Sequence, residues 1–469
     1  MMRSTPPLDA QAGLERLATY PFQIATWVDE RGYPVSVAVQ AMVDPAGRVA
    51  SFDPPAGLTV PTDRDVSLTG SHIRPQPGYG YDERRHVTVW GRVTSGIRPD
   101  PMTRILTLTG RSAWGWDETE TPFFEYSERS VPRSRRYFDA LSAERGTPVR
   151  PRLSFGFLAL RATRLPFLTA TIVPVVLGIV IAASHGAFDI AAAALTVIGA
   201  AFVQLGLNVA NDVFDSVQGA DDANVTPTQF SGGSRVIQYG LVSLRQMATL
   251  ATVFYVLAGL VGLVLLVTRG SPALLAIGIL GFIVSLGYTA PPLKFAYRGL
   301  GEVAVALGFG PLMLLGAYVV QSGGTVAWEP FVASIPIALL AALILYVNEI
   351  PDRRGDAHAG KRTLPVRFSR RTIITGYNGA AAAAYIAVVV GVVTGVLPVP
   401  TLLMLLTIPL VRQVSRGLLP NYDNPYALMA YMGVNVQLHL RAGLLLFAGY
   451  VIVLVLGAIA PSVPVFIGT

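Results

Sequence analysis

The chain has 469 residues, of which 52% are hydrophobic and only 14% are charged, and its mean hydropathy is +0.50. Because an ordinary soluble protein carries about a quarter charged residues, this composition excludes a wholly soluble chain. The net charge is +7 and there is no cysteine, which excludes disulfides and thiolate chemistry. Charges are spread through the first part of the chain and become sparse later. We therefore predict a soluble domain at 1–125, a basic linker and helix at 126–154, and a membrane domain at 155–469.

The first part consists of short β-type runs separated by turn residues, a pattern that predicts a small β-barrel. The runs are 22–28, 34–43, 48–52, 65–71 and 86–94. No apolar signal core precedes them, so we expect this domain in the cytoplasm.

Three stretches of this domain, 24–39, 63–70 and 85–93, are similar to the flavin-binding split barrels related to pyridoxamine 5′-phosphate oxidase. That resemblance implies FMN as a candidate cofactor. The segment 59–64, where the flavin phosphate is expected, lacks a clear basic cradle. The alternative is a domain without flavin that has a structural or regulatory role.

The segment ahead of the first long apolar run is rich in arginine. Its members are Arg129, Arg133, Arg135, Arg136, Arg145, Arg150 and Arg152. Such a basic segment next to a membrane is expected to contact anionic lipid headgroups. The positive net charge therefore indicates a membrane surface as the partner, and no nucleic acid.

The last two thirds of the chain contain nine apolar runs, and a span of the bilayer needs about 20 mainly apolar residues. The centres of the runs are 165–183, 191–209, 247–267, 274–288, 303–320, 331–347, 380–396, 399–414 and 444–460. The fourth and the eighth are the weakest, because the fourth is short and Pro409 interrupts the eighth. We predict an all-α polytopic bundle of nine transmembrane helices, preceded by the soluble, split-barrel-like domain.

The basic residues between these runs test the count independently. With nine spans and the N-terminus inside, nearly all Arg and Lys fall on the cytoplasmic side, and the opposite segments hold Arg269 and little else. This asymmetry is what the positive-inside rule predicts. We expect a multi-pass protein of the cell (inner) membrane whose N-terminal domain and active-site loops are cytoplasmic.

Two acidic clusters lie at the cytoplasmic ends of the second and sixth spans. In the first, Asn208, Asn211, Asp212 and Asp215 are spaced three and four apart, so they share one face of a helix, and Asp221 and Asp222 follow. In the second, Asn348, Asp352 and Asp356 recur every four residues and form a matching stripe. Charged groups at membrane depth are costly, so two such stripes indicate a function.

Carboxylate and amide oxygens suit Mg²⁺, which proteins usually hold with one or two carboxylates plus substrate phosphates. Two clusters facing each other would hold a diphosphate through metal ions. The basic candidates for the remaining phosphate charge are Arg235, Lys294, Arg353, Lys361 and Arg362. The simpler interpretation, solvated helix ends, is disfavoured for two matched clusters but is kept for Asp222 and Glu349 individually.

At these residues the chain resembles the UbiA superfamily of intramembrane prenyltransferases, from about Phe155 to the C-terminus. It is most similar to the 1,4-dihydroxy-2-naphthoate prenyltransferases, the menaquinone branch. The similar stretches are 211–221, 288–289, 299–302, 309–318 and 348–364. The segment 230–235, Phe-Ser-Gly-Gly-Ser-Arg, departs from that branch, which leaves the aromatic substrate open.

The resemblance implies nine helices, an apolar lateral cavity, and Mg²⁺-dependent transfer of a polyprenyl group from a polyprenyl diphosphate to an aromatic acceptor. It implies catalytic roles for Asp215, Asp352 and Asp356. The expected metal ligands are Asn211, Asp212, Asp215, Asp221, Asp352 and Asp356. The expected substrate-binding residues are Asn208, Arg235, Tyr288, Lys294, Asn348, Arg353, Lys361 and Arg362.

Other functions remain open from the sequence. The acceptor is 1,4-dihydroxy-2-naphthoate or a related quinone precursor in the first hypothesis, and a chlorophyll-type ring or a glycerol lipid in the second. An ion-coupled transporter would use intramembrane acids, but those are expected near the bilayer midplane on broken helices. A flavoprotein reductase with a membrane anchor would not need nine spans.

Overall fold

The computed structural model describes residues 8–76, 80–95, 105–151, 153–460 and 462–467. Contacts divide the chain near residue 133 into two compact units, inside the segment predicted as a basic linker. Arg152 of that segment lies outside the described residues. The two units are described separately.

The first unit contains one short helix, α1 (Ala10–Leu17), and seven strands. The strands are β1 (Gln23–Val28), β2 (Pro34–Val39), β3 (Ala41–Asp44), β4 (Val49–Phe52), β5 (Asp65–Gln76), β6 (Gly80–Ser95) and β7 (Leu106–Asp117). Buried side chains from the helix and the sheet, such as Leu14, Leu68 and Leu108, form its core.

All strands pair antiparallel in one sheet, in the order β2-β1-β5-β6-β7-β4-β3. The edge strands β2 and β3 lie at opposite ends of this order, yet only Gln40 separates them in the chain. One residue cannot cross a flat seven-stranded sheet, whose strands are about 4.8 Å apart. The sheet therefore curls until its two edges approach each other, which agrees with the split-barrel resemblance.

The predicted run 34–43 is two strands rather than one. The side-chain oxygen of Gln23 accepts a hydrogen bond from the Ala41 N–H at 2.9 Å, so this N–H is no longer offered to a neighbouring strand. Pairing with β1 ends at Val39, and the chain passes to the other edge. Strand β7 is absent from the sequence prediction, because Gly110 and Gly115 interrupt its apolar alternation.

A long helix, α2 (Phe123–Arg145), leads into the second unit, which is otherwise helical. Its helices are α3 (Phe155–Thr163), α4 (Thr169–Ser184), α5 (Ile190–Val217), α6 (Ala220–Ala223), α7 (Leu244–Arg269), α8 (Pro272–Gly287), α9 (Gly301–Leu307), α10 (Met313–Gln321), α11 (Trp328–His358), α12 (Leu364–Arg367), α13 (Arg370–Val393), α14 (Ile408–Asn421) and α15 (Pro425–Ile459). Short 3₁₀ turns occur at Leu165–Leu168, Phe295–Arg298 and Val399–Thr407, and a π-turn at Gly308–Leu312 joins α9 to α10.

The predicted count of nine spans is not confirmed. Within the described residues, seven helical segments are long and apolar enough to cross a membrane. The remaining two predicted spans correspond to α4 and α8, which are apolar but have only 16 residues each. Each is shorter than the roughly 20 residues of a full span. The seven long apolar segments make the chain an integral membrane protein.

The largest apolar core of this unit lies among α4, α11, α13 and α15. Leu177, Ile337 and Tyr377, one from each of the first three, are fully buried there. By contrast, only 11% of the most apolar stretch of α7 is buried, so most of this helix is left for lipid. The packed core holds α11 in place, while α7 and α8 form a thinner wall.

Candidate active site

The two polar stripes lie on α5 and α11, whose ends border one polar cavity of about 170 Å³. Asn211 and Asp215 line it from α5, and Asn348, Asp352 and Asp356 line it from α11. A helix places residues three or four apart on one face, so the members of each stripe face the cavity together, with the exception of Asp212. The structure thus brings the two predicted clusters together.

Lys361 lies between the two clusters. Its Nζ is 3.5 Å from Asp215 Oδ2 and 3.8 Å from Asp356 Oδ1, and its side chain is largely buried. Burial acts to lower the pKa of Lys361, but the carboxylates of Asp215 and Asp356 outweigh it, and the pKa is raised well above its ordinary value. The ammonium therefore stays charged and links the two acidic motifs.

The chain after α11 is held in place by the 3₁₀ turn Phe295–Arg298. The N–H of Arg362 donates to the carbonyl of Tyr297 at 3.0 Å, and the Tyr297 hydroxyl donates to Asp215 Oδ1 at 2.7 Å. Gly360 ends the helix with a φ of +73°, a conformation that glycine adopts readily. These contacts direct Lys361 back toward the cavity.

The loop with the unusual Gly-Gly pair closes another side of the site. Asp352 accepts hydrogen bonds from the Gly232 N–H at 2.9 Å and from Asn224 Nδ2 at 2.8 Å. Gly233 has a φ of +75°, and a Cβ there would lie 2.7 Å from Asp221 Oδ1. Only glycine fits at this position, because any side chain would meet the carboxylate.

Asp212 was expected to be a metal ligand, but its carboxylate contacts protein groups instead. It forms an ion pair with Arg164 and accepts a hydrogen bond from the Ser234 N–H at 3.2 Å. Its side chain is only 2% exposed, and it is not among the residues that line the polar cavity in the described structure. Arg164, which the sequence analysis did not single out, does line the cavity.

Four predicted basic residues do not line the cavity, although all four are described. Arg235 is buried and donates to the carbonyl oxygen of Asp221. Arg353 pairs with Asp423, which lies between α14 and α15. The remaining two contact Tyr297. The Lys294 Nζ lies 5.6 Å from the centre of the Tyr297 ring, and the Arg362 N–H donates to the Tyr297 carbonyl.

The other predicted positions lie in the cavity wall. Asn208 accepts from Gln204 at 3.1 Å and donates to the carbonyl of Thr163 at 2.8 Å, so its amide is held firmly. Tyr288 and Asn348 both line the cavity. Asp221, on the short helix α6, also lines it, and burial, followed by the carboxylates of Asp215 and Asp212, raises its pKa.

The donor set fits a hard divalent cation. Among the described residues, the buried oxygens Asn211 Oδ1 and Asn348 Oδ1 have no hydrogen-bond partner, and both belong to cavity-lining residues. A buried oxygen of this kind is costly unless a cation or a donor reaches it. Within the same described part, no three acidic or histidine side chains form a complete coordination shell by themselves. Mg²⁺ bound here would therefore need oxygens from substrate and water, as is usual for this ion.

Glu349 corrects one expectation. It was expected to be solvated, but it is only 5% exposed and lines the polar cavity. It lies next to the side chain of Glu302 at the start of α9. The position of Glu349 directly after Asn348 placed it near the stripe in the sequence. Whether its side chain faces the cavity depends on how α9 packs against α11. Asp222 is exposed, as expected.

A larger, apolar cavity of about 610 Å³ continues from the polar one. Its walls come from α5, α7, α8 and the α9–α10 segment. The residues that line both cavities are Gln204, Leu207, Tyr288, Val305 and Phe309. The pair of cavities accommodates a molecule with a charged head and a long apolar tail, and its volume is in the range of ligand pockets.

The model of the UbiA prenyltransferase family matches residues 171–436, more than half of the chain and both acidic stripes. The chain belongs to the UbiA prenyltransferase family. This membership confirms the resemblance seen in the sequence and favours a UbiA transferase over the transporter and reductase alternatives. The match begins at residue 171, so it does not bear on the flavin expectation, which stays a prediction.

The chain aligns with relatives from this family over most of their length. The 2-carboxy-1,4-naphthoquinone phytyltransferase of Synechocystis sp. is 27% identical over 296 residues, which are 62% of this chain and 92% of the relative. The 1,4-dihydroxy-2-naphthoate octaprenyltransferase of Bacillus subtilis is 28% identical over 299 residues, 64% and 94% of the two chains. A solved structure of a UbiA homolog from Archaeoglobus fulgidus, bound to GPP and Mg²⁺, is 16% identical and covers 62% of this chain and 99% of its own, with a TM-score of 0.45.

Proposed function

We propose that this UbiA enzyme transfers a polyprenyl group from a polyprenyl diphosphate to an aromatic acceptor, 1,4-dihydroxy-2-naphthoate or a related quinone precursor, with Mg²⁺. The observation that carries the proposal is the polar cavity between the two acidic stripes, continuous with an apolar cavity. The names of the two relatives support a naphthoquinone-type acceptor.

The diphosphate head belongs in the polar cavity. Asn211, Asp215, Asp352 and Asp356, with Asp221, would hold Mg²⁺ there, and the bound ion supplies charge neutralisation of the leaving diphosphate. Lys361 and Arg164 both reach this cavity and add fixed positive charge against the phosphate oxygens. Asp212 holds Arg164 and the Ser234 backbone in place rather than contacting the phosphates.

The prenyl tail belongs in the apolar cavity, so the reacting carbon lies where the two cavities meet. Tyr288, Val305 and Phe309 line this junction. Cleavage of the allylic C–O bond gives positive charge on that carbon, and the apolar wall keeps out water that would capture it. The electron-rich ring attacks there, and diphosphate leaves with the electron pair of the C–O bond. The ring regains its aromaticity by losing the group at the attacked carbon, either a proton or the carboxylate as CO₂.

We infer that the polar cavity opens toward the cytoplasm of a cell membrane. The support is the arginine and lysine content around the ends of α5 and α11, against a single arginine, Arg269, in the opposite segments.

The reaction is tested with purified protein in lipid, labelled geranylgeranyl diphosphate, Mg²⁺ and 1,4-dihydroxy-2-naphthoate. We expect pyrophosphate and a prenylated naphthol, both lost with EDTA and in Asp352→Ala. Asp222→Asn is the matched control, since this exposed carboxylate lies near the same end of α5 and is expected to leave the rate unchanged. Diphosphate binding without product would reject this acceptor, and absence of binding with every prenyl length would reject the proposal.

A further inference from the structure

A second pair of carboxyl groups lies beside the cavity and has no part in the scheme above. Glu349 lines the polar cavity and is 5% exposed, and its Oε2 has no hydrogen-bond partner among the described residues. Glu302 is its near neighbour, and within the same residues Glu302 Oε1 is likewise buried and without a partner. These two side chains leave acceptor oxygens directed into a protein interior.

The pair therefore offers oxygen acceptors that no donor among the described residues reaches. A buried acceptor without a donor is costly, so such an oxygen indicates a ligand that brings an O–H or N–H group. An arrangement retained despite that cost favours ligand binding over a purely structural role.

A second buried side chain, on another helix, also has an acceptor oxygen without a donor. Gln204, on α5, is 4% exposed and lines both cavities, and its Oε1 also lacks a partner among the described residues. Its own amide N–H₂ is already used on Asn208. Two walls of the cavity, α5 and α11, thus present unsatisfied acceptors.

The position of the pair relative to the reaction is fixed by its neighbours. Val305, one helical turn after Glu302, lines the junction of the two cavities, as does Tyr288. Glu349 Oε1 lies 3.5 Å from where a Cβ on Gly301 would be, so α9 approaches α11 closely at this point. With the diphosphate among the aspartates and the tail in the apolar cavity, a ring that attacks the allylic carbon reaches the junction beside Glu349.

We propose that Glu349, positioned by Glu302, accepts a hydrogen bond from a ring hydroxyl of the aromatic acceptor. The inference rests on the proposed function and adds the group that recognises the acceptor. The ligand class is a hydroxylated aromatic ring. A site built to bond a hydroxyl discriminates strongly against an analogue that lacks the O–H, because the protein acceptor is then left unpaired.

The test compares 1,4-dihydroxy-2-naphthoate with its di-O-methyl ether, which has no phenolic O–H donor, in wild type, Glu349→Gln and Glu349→Leu. We expect wild type to prefer the hydroxylated ring by about 100-fold or more in kcat/KM. Leu is expected to reduce this preference to the intrinsic difference in reactivity between the two rings, by slowing the hydroxylated ring alone, whereas Gln, which keeps one acceptor oxygen, retains part of the excess. Glu302→Gln is expected to weaken the preference without removing it.

Binding of a prenyl thiodiphosphate with Mg²⁺, measured by titration, serves as the second readout and is expected to match wild type in all three variants. An equal loss of rate on both rings would overturn the proposal, because a structural role moves both together. Loss of thiodiphosphate binding in Glu349→Leu would overturn it by assigning Glu349 to the metal site. If wild type binds the thiodiphosphate but prenylates neither ring, the naphthoate acceptor fails and this inference fails with it.

Discussion

Lys361 is the residue on which the two halves of the active site converge. Its ammonium lies within 4 Å of a carboxylate from each acidic motif. Tyr297 holds both sides of this contact, because its carbonyl accepts from the N–H of the next residue, Arg362, and its hydroxyl donates to Asp215. A cation in this place offsets the mutual repulsion of the motifs. It also provides a donor for a diphosphate that enters between them.

Replacement of Lys361 by Met removes this charge and keeps most of the side-chain volume. Since a hydrogen bond to a charged group contributes about 1.5–3 kcal/mol, we expect prenyl thiodiphosphate to bind about 10- to 150-fold more weakly. Isothermal titration with Mg²⁺ present measures this. Arg354→Met, an exposed position on the same helix end, is the control, and equal weakening in both variants would contradict a specific role for Lys361.

Asp212 makes a different residue-scale prediction, on stability. Its carboxylate is 2% exposed and pairs with Arg164, so Asp212→Asn leaves a mostly buried guanidinium without its counter-ion. Breaking a buried pair on one side costs about 3–5 kcal/mol. We expect a loss of this size in the free energy of unfolding, measured by denaturant titration in detergent. A change no larger than that of Asp222→Asn would show that the ion pair contributes little.

The acidic stripes could be predicted from the sequence because a helix repeats every three to four residues and both stripes keep that period. The roles of Asp212, Arg353 and Glu349 could not. Each lies within one turn of a cavity-lining residue, and the rotation and packing of the neighbouring helix decide whether it faces the cavity, the loop at 230–235 or Asp423. Arg164 was missed because, although Arg161 precedes it by three residues, no acidic or metal-binding motif surrounds it in the sequence.

At the scale of whole elements, α7 and α8 shape the apolar cavity through their glycines. Gly259 and Gly262 on α7 and Gly278 and Gly281 on α8 line this cavity, and a Cβ on any of them would have no atom within 4 Å. Glycine in a helix interior costs about 1 kcal/mol relative to alanine, so these positions keep space open instead of adding stability.

Filling that space is expected to shorten the accepted tail. Gly262→Leu adds an apolar side chain to the cavity wall at a position where the new Cβ would have no atom within 4 Å. We expect the ratio of kcat/KM for geranyl to octaprenyl diphosphate to rise at least about 10-fold, since each methylene that loses its place forgoes about 0.8 kcal/mol. Gly379→Leu, on the exposed face of α13, is the control and should leave the ratio unchanged. An unaltered ratio in Gly262→Leu would mean that the tail takes another path.

The sequence predicted helices and strands correctly where the composition of a segment alone determines its structure. Long apolar runs gave the long helices, whereas the weak fourth run became the 16-residue α8 and the eighth became a 3₁₀ turn followed by α14. The boundary between β2 and β3 could not be predicted, since it depends on a side chain, Gln23, that lies 18 residues away in the chain.

For the molecule as a whole, the orientation in the membrane is the main open prediction. The absence of cysteine from the chain makes single introduced cysteines specific probes. We expect Asp222→Cys to react with an impermeant maleimide only from the cytoplasmic side, and Thr325→Cys, between α10 and α11, only from the opposite side. Labelling of both from the same side would contradict the assignment based on basic residues.

The continuity of the two cavities has a consequence for where the enzyme can work. Moving a tail of about forty carbon atoms from hydrocarbon into water would cost on the order of 30 kcal/mol at about 0.8 kcal/mol for each methylene. Several residues of the cavity wall, among them Leu263, Ile279 and Phe282, are also exposed on the thin side formed by α7 and α8. The polyprenyl substrate and its product therefore exchange with lipid and never dissolve in the aqueous phase. Turnover then follows the surface density of prenyl diphosphate within the bilayer, and dilution with extra lipid slows the reaction even when every bulk concentration is unchanged.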